Sequence, residues 1–134
     1  MTTTHLKNPK ITIIGAGGFV FPFRLIGDIL SFPALRNSTM SLMDFNPDKL
    51  GPVADATREL IAHHGFGATV EETTDRRAAL DGADIVIITF QVGGVESYRH
   101  DVVIPRKYGI DQTVGDTVGP GGVFHFRRSE SPRA

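Results

Sequence analysis

The chain of 134 residues contains no cysteine, which excludes disulfides and thiolate metal ligands. It has no apolar run of the roughly 18 residues that a membrane-spanning helix needs. Met1 to Lys10 is polar and lacks the apolar segment of a secretory signal, so a cytoplasmic protein without membrane partners is expected. There is no excess of either charge: 14 Lys and Arg stand against 15 Asp and Glu, a formal net charge of −1. Nucleic acid needs clustered basic residues, and here acids and bases interleave, so it is not an expected partner. No repeat or low-complexity stretch is visible. The 40% of hydrophobic residues suffice for one core of ordinary size.

The most informative segment that is present is Gly15-Ala16-Gly17-Gly18-Phe19-Val20. It follows the apolar run Ile11-Thr12-Ile13-Ile14 and opens an amphipathic stretch from Phe21 to Phe32. Strand, tight glycine turn and helix in that order form the cradle of a dinucleotide: Gly15 allows the turn, Gly17 lets the backbone approach a pyrophosphate, and the helix start favours negative charge. Val20 stands where the fingerprint wants Gly or Ala. Asp44 ends the run Met40-Ser41-Leu42-Met43 and sits where a second parallel strand presents an acid to a ribose, favouring NAD over NADP. The interval from Gly17 to Asp44 exceeds the usual ~20 residues, and the Ala34 to Thr39 connection accounts for the excess. Asn46-Pro47 supplies the cap of the next helix, which leaves Asp44 free for a ligand.

Strand and helix signals alternate along the chain. Phe19, Phe23, Ile26 and Leu30 recur at helical spacing, with Pro22 in the first turn. A second helix is expected from Pro47 to His64, stopped by Gly65, with Gly51-Pro52 distorting its first turns. Ala68 to Thr73 reads as a third strand, Asp75 as the cap of a short helix over Arg76 to Leu80, and Ile85 to Thr89 as a central strand apolar on both faces. A helix is expected from Glu96 to Val103. The fold class is therefore α/β, a Rossmann-like doubly wound parallel sheet, incomplete, with Gly15, Asp44, Thr74 and Thr89 converging at one edge. Thr89 is accordingly included among the cofactor contacts. Gly115 to Gly122 is glycine-rich and reads as a ligand-facing loop.

Several segments together resemble glycoside hydrolase family 4, the NAD- and manganese-dependent glycosidases, and most of all its α-galactosidase branch. They are Lys10 to Gly17, Gly27-Asp28-Ile29-Leu30, Ser41 to Asp44, Thr73 to Arg77, Gln91-Val92-Gly93-Gly94, Ile104 to Gly109 and Gly115 to Gly122. They keep unbroken order across residues 10 to 124. The resemblance implies redox-assisted elimination: NAD takes hydride from the sugar 3-carbon, a tyrosine base removes the acidified neighbouring proton, manganese stabilises the enediolate, and the hydride returns after the aglycone has left. The family's glycine loop falls on Gly15, Gly17 and Gly18 and its ribose acid on Asp44, and Ala16 and Phe19 of the same turn are also expected as cofactor contacts. A sugar-contacting position, Arg in the phospho-glycosidases, falls on Gln91, which argues for a substrate without a 6-phosphate. Lys107 falls where the family places a basic residue that helps ionise the tyrosine; read without the resemblance it is an exposed lysine.

The resemblance also implies that the family's cysteine and histidine metal ligands, its acid and its tyrosine base lie downstream of residue 134; Tyr98 and Tyr108 do not match the base. His63 and His64, adjacent on a helix, point to different faces and make no metal pair; His5, His100 and His125 read as isolated surface residues. The expected organisation is a disordered stretch over 1–9, a partial NAD-binding domain over 10–124 and a divergent tail over 125–134. A string encoding Ala-Leu-Arg-Ile-Pro-Ala, shifted by one base, can encode residues 128–133, so a frameshifted tail is expected. The expected function is the amino-terminal NAD-binding part of an α-glycosidase, inactive alone and oligomeric when whole. A stand-alone NAD-binding module and a small NAD-dependent dehydrogenase are the alternatives.

Overall fold

The computed structural model describes residues 7–90, 92–112 and 118–130. The chain divides into two compact units, Met1–Phe90 and Gln91–Ala134, where the sequence led us to expect one domain over 10–124.

The first unit alternates strands and helices: β1 (Lys10–Ile14), α1 (Val20–Ser31), a 3-10 turn (Pro33–Leu35), β2 (Thr39–Met43), α2 (Pro47–His64), β3 (Thr69–Thr73), α3 (Arg76–Leu80) and β4 (Ile85–Ile88). All strand pairs are parallel, in the order β3-β2-β1-β4. Pleating sorts the two inner strands by face. Ile11, Ile13, Met40 and Leu42 join Ile26 and Leu30 of α1 and Leu50, Val53 and Ala54 of α2 in the main core. Ile14 and Met43 pack instead with Ala79 of α3. The buried hydroxyls of Thr12 and Ser41 donate to the Ala79 carbonyl, at 2.9 and 3.4 Å. Helices thus cover both faces of the sheet, as a doubly wound arrangement requires.

Local chemistry sets the helix ends. The Asn46 side chain accepts the Asp48 N–H at 3.0 Å with Pro47 at the first helical position, Gly65 closes α2 at φ +66, and Asp75 accepts the Arg77 N–H at 2.8 Å. These match expectation. Four details differ. α2 runs unbroken through Gly51-Pro52; Pro52 is exposed, so the carbonyl deprived of its partner can turn to water. In α1 the buried residues are Pro22, Ile26 and Leu30, an i, i+4 seam that leaves Phe19 54% exposed and stacked on Phe23 at 5.5 Å. β4 is an edge strand with Val86 45% and Ile88 65% exposed, because an apolar run reports hydrophobicity and not which neighbours it pairs with. Order begins before Lys10, since Pro9 is buried and its carbonyl accepts the Thr39 N–H at 3.0 Å.

The second unit holds α4 (Gly94–Arg106) and α5 (Pro120–Glu130). α4 is longer than the Glu96 to Val103 expected. Pro120, Gly121 and Gly122 form the first turn of α5 and not a loop. Gly121 is required by packing: a Cβ there overlaps the Asp101 carbonyl oxygen of α4. Gly115, Asp116 and Thr117 lie outside the described residues. The boundary expected at His125 falls inside α5. No helix among the described residues is long and apolar enough to cross a membrane.

Candidate functional site

Register brings the strand ends level. Ile14 pairs with Met43 and with Ile88, and Met43 with Thr73, so Gly15, Asp44, Thr74 and Thr89 each follow at the same sheet edge. The glycine turn hangs on the end of β2: the N–H groups of Gly15 and Ala16 both donate to the Met43 carbonyl, at 2.8 and 2.9 Å. Gly15 adopts φ +90, and a Cβ built there lies 2.7 Å from the Phe90 backbone nitrogen. Only glycine meets both conditions. The Thr89 hydroxyl closes the turn from β4, within 3.0 Å of the Gly15 carbonyl and 3.2 Å of the Ile14 carbonyl. Its proton serves the turn, so toward a ligand the oxygen is an acceptor only.

Gly17 is the second constrained position. A Cβ there lies 2.8 Å from Asp44 Oδ2 and 2.9 Å from Lys49 Cβ, and its N–H donates to Asp44 Oδ2 at 2.9 Å. Gly18 is different, because a Cβ there comes no closer than 3.4 Å to Pro22, an ordinary contact. Ala16 is fully buried in the main core, so its side chain cannot touch a ligand. Of the turn's N–H groups, those of Gly15, Ala16 and Gly17 are engaged, while Gly18, Phe19 and Val20 have none of their N–H bonds made within the described residues. The first turn of α1 carries no acid. Three unsatisfied donors at a helix start with no negative side chain form a place for an anion.

Asp44 is not left free by the Asn46 cap. Its Oδ1 accepts the Asn46 N–H at 3.0 Å while Oδ2 holds Gly17. Each carboxylate oxygen accepts two hydrogen bonds, so one lone pair per oxygen remains for a pair of vicinal hydroxyls. Beside the start of α2, Pro47, Leu50, Gly51, Glu72, Thr73 and Thr74 line a cavity of about 380 Å³.

In the second unit, Lys107 ends α4 and is exposed. Gln91 and His5 lie outside the described residues. His63 and His64 do not point apart as expected: their rings meet edge to face at 5.0 Å, and His64 stacks on Phe66 at 5.3 Å. His125 is not an isolated surface residue either. Its Nδ1 lies 3.4 Å from Oδ2 of the buried Asp101, onto which Arg128 forks at 2.9 and 2.5 Å. No pattern in the sequence pointed to this trio, whose members are polar residues on two separate helices. No group of three His, Cys, Asp or Glu among the described residues could hold a metal ion, so manganese does not fit the residues described.

Comparison with known proteins gives this geometry a relative. A family model described as family 4 glycosyl hydrolase matches residues 10–129. An alpha-galactosidase of Rhizobium meliloti (strain 1021) is 42% identical over 120 residues, covering 90% of this chain and 24% of its own length. An alpha-glucosidase of Erwinia rhapontici is 40% identical over 124 residues, covering 92% of this chain and 27% of its own. Among solved structures, the 6-phospho-beta glucosidase from Thermotoga maritima with manganese, NAD+ and glucose-6-phosphate aligns with a TM-score of 0.73 at 25% identity, over 90% of this chain and 29% of that one. The chain thus spans about a quarter of the length of the curated relatives it matches. It belongs to the family 4 glycosyl hydrolases and corresponds to their amino-terminal region.

Proposed function

We propose that residues 10–90 bind NAD and serve as the cofactor-binding part of a glycosidase acting on α-glycosides. The observation that carries this reading is the glycine turn. Cβ atoms at Gly15 and Gly17 have no room, and beside them the N–H groups of Gly18, Phe19 and Val20, unpaired among the described residues, offer three donors to a diphosphate. Asp44, with one acceptor left on each oxygen, takes the ribose hydroxyls and repels a 2′-phosphate. Thr89 holds the turn with its hydroxyl proton and offers the ligand its oxygen as an acceptor. When bound, NAD supplies reversible hydride transfer; this chain's part is to hold and orient it. Ala16 contributes only packing, and Phe19 its backbone N–H and an exposed ring.

The sugar is an unphosphorylated hexoside, a reading supported by the uncharged Gln91 and by the alpha-galactosidase and alpha-glucosidase relatives. Lys107 serves as the basic residue that eases ionisation of a tyrosine. The work is done in the cytoplasm by an oligomer of the whole enzyme. No step is assigned to a metal.

Titration of the 134-residue protein with NAD and NADP tests the cofactor reading. NAD is expected to bind and NADP to bind more weakly. Asp44→Ala removes charge-assisted hydrogen bonds worth about 2–3 kcal/mol, roughly a 30- to 150-fold loss of NAD affinity. Equal affinity of mutant and wild type overturns the role of Asp44, and absence of NAD binding overturns the function. An aryl α-galactoside is expected to remain intact with this chain alone.

A further inference from the structure

Lys49 is the third residue of α2, and its side chain is exposed. Unlike Lys10, which pairs with Glu71 at 3.0 Å and donates to the Asp81 carbonyl at 2.8 Å, Lys49 has no ion-pair or side-chain hydrogen-bond partner among the described residues. Its stem is not at large. The Lys49 Cβ and the Asp44 carboxylate crowd the same point above Gly17, 2.9 and 2.8 Å from where a Cβ there would stand. A four-carbon stem rooted at the glycine turn is long enough for its ammonium to reach the N–H groups of Gly18, Phe19 and Val20, which are unpaired among the described residues.

Charge sharpens the point. Among the described residues, the only ionised group hydrogen-bonded to the turn is Asp44, which is negative, while the ligand that fits the turn carries a diphosphate. At short range an uncompensated carboxylate opposes that ligand, and a lysine rooted on the same glycine offsets it.

We infer that Lys49 is a cofactor-binding residue whose ammonium pairs with the diphosphate of the dinucleotide. The inference rests on the proposed NAD site and adds to it the cation that the glycine fingerprint does not contain. Gly17 then has two reasons to lack a side chain: the ligand's approach, and the passage of the Lys49 stem beside Asp44.

The test compares wild type, Lys49→Gln and Lys49→Arg by calorimetric titration with NAD, ADP-ribose, NADP and adenosine, each at low and high salt. Lys49→Gln is expected to weaken NAD and ADP-ribose equally, by about tenfold, and to flatten their salt dependence. Adenosine, which has no phosphate, is expected to bind both proteins alike, and Lys49→Arg to keep most of the affinity. Unchanged NAD and ADP-ribose binding in Lys49→Gln overturns the inference, as does a loss confined to NADP, which would assign the ammonium to a 2′-phosphate. An equal loss for adenosine also overturns it, since that reports a disturbed site and not a lost charge. Failure of the wild type to bind NAD overturns the cofactor reading itself and this inference with it. Because Lys49 is exposed, the melting temperature of Lys49→Gln should match the wild type, which separates binding from folding.

Discussion

In the first unit the side chains sealed from solvent include Ile13, Ile26, Leu30, Met40, Leu42 and Val53, whereas in the second the buried residues among those described are Asp101, Pro105 and Gly121. Val95, Val123, Phe124 and Phe126 of the second unit are exposed. The sheet unit is cohesive because apolar area leaves water, an attraction without direction that tolerates exchange among residues of similar volume. The helical unit has little of that and relies on one carboxylate, 1% exposed, matched to a guanidinium fork. A buried pair of this kind adds little over an apolar contact, yet breaking it is severe because the surviving charge stays buried. The two units should therefore fail to different insults.

The largest contrast comes from Arg128→Ala and Leu42→Ala. The first leaves Asp101 with His125 as its one charged partner among the described residues and should cost about 3–5 kcal/mol, raising amide exchange over 94–130 while 10–90 stays protected. The second opens a cavity in the sheet unit and should cost about 2–5 kcal/mol, with the reverse exchange pattern. If either mutation deprotects both units equally, the contrast is broken.

Next in size is a graded series along the glycine turn. Gly15→Ala meets both the positive φ and the Phe90 backbone and should lower stability by about 1–3 kcal/mol. Gly17→Ala meets only side-chain atoms, so its chemical-denaturation midpoint should move less while NAD titration shows a loss, and Gly18→Ala should be close to neutral in both. Smaller again, Asn46→Ala removes the α2 cap and should cost about 1 kcal/mol in thermal unfolding. Smallest is Ile88→Thr at the exposed edge of β4, expected within about 0.5 kcal/mol of wild type; a large loss there would show that β4 is as closed as β1.

What was legible in the sequence was whatever is decided within a few residues. The Asn46, Gly65 and Asp75 caps, the strand-turn-helix order around Gly15 and the acid after Met43 all depend on neighbours in sequence, and each stands where expected. The rest depends on partners far along the chain. Nothing in Ile85 to Ile88 says that β1 is its one flanking strand among the described residues. The inward seam of α1 passes through Pro22, not Phe19, because the helix is rotated by what the sheet offers. Asp44 read as free because its tie to Gly17 crosses from one strand end to another. Asp101, His125 and Arg128 carried no signal at all, since burial of a charge becomes visible only when two helices are laid together.

The Asp44 bridge to Gly17 and Asn46 has a consequence in time. A glycine-rich turn that had to be caught in the right shape would slow capture of its ligand, because only a fraction of encounters would find it ready. Here the carboxylate already clamps the turn from one side while Met43 and Thr89 hold it from the other, so the receptive shape exists before arrival. Stopped-flow mixing with NAD should accordingly show a single bimolecular phase whose rate rises linearly with concentration and does not saturate. In Asp44→Ala the same rate should level off as reshaping of the turn becomes the slow step.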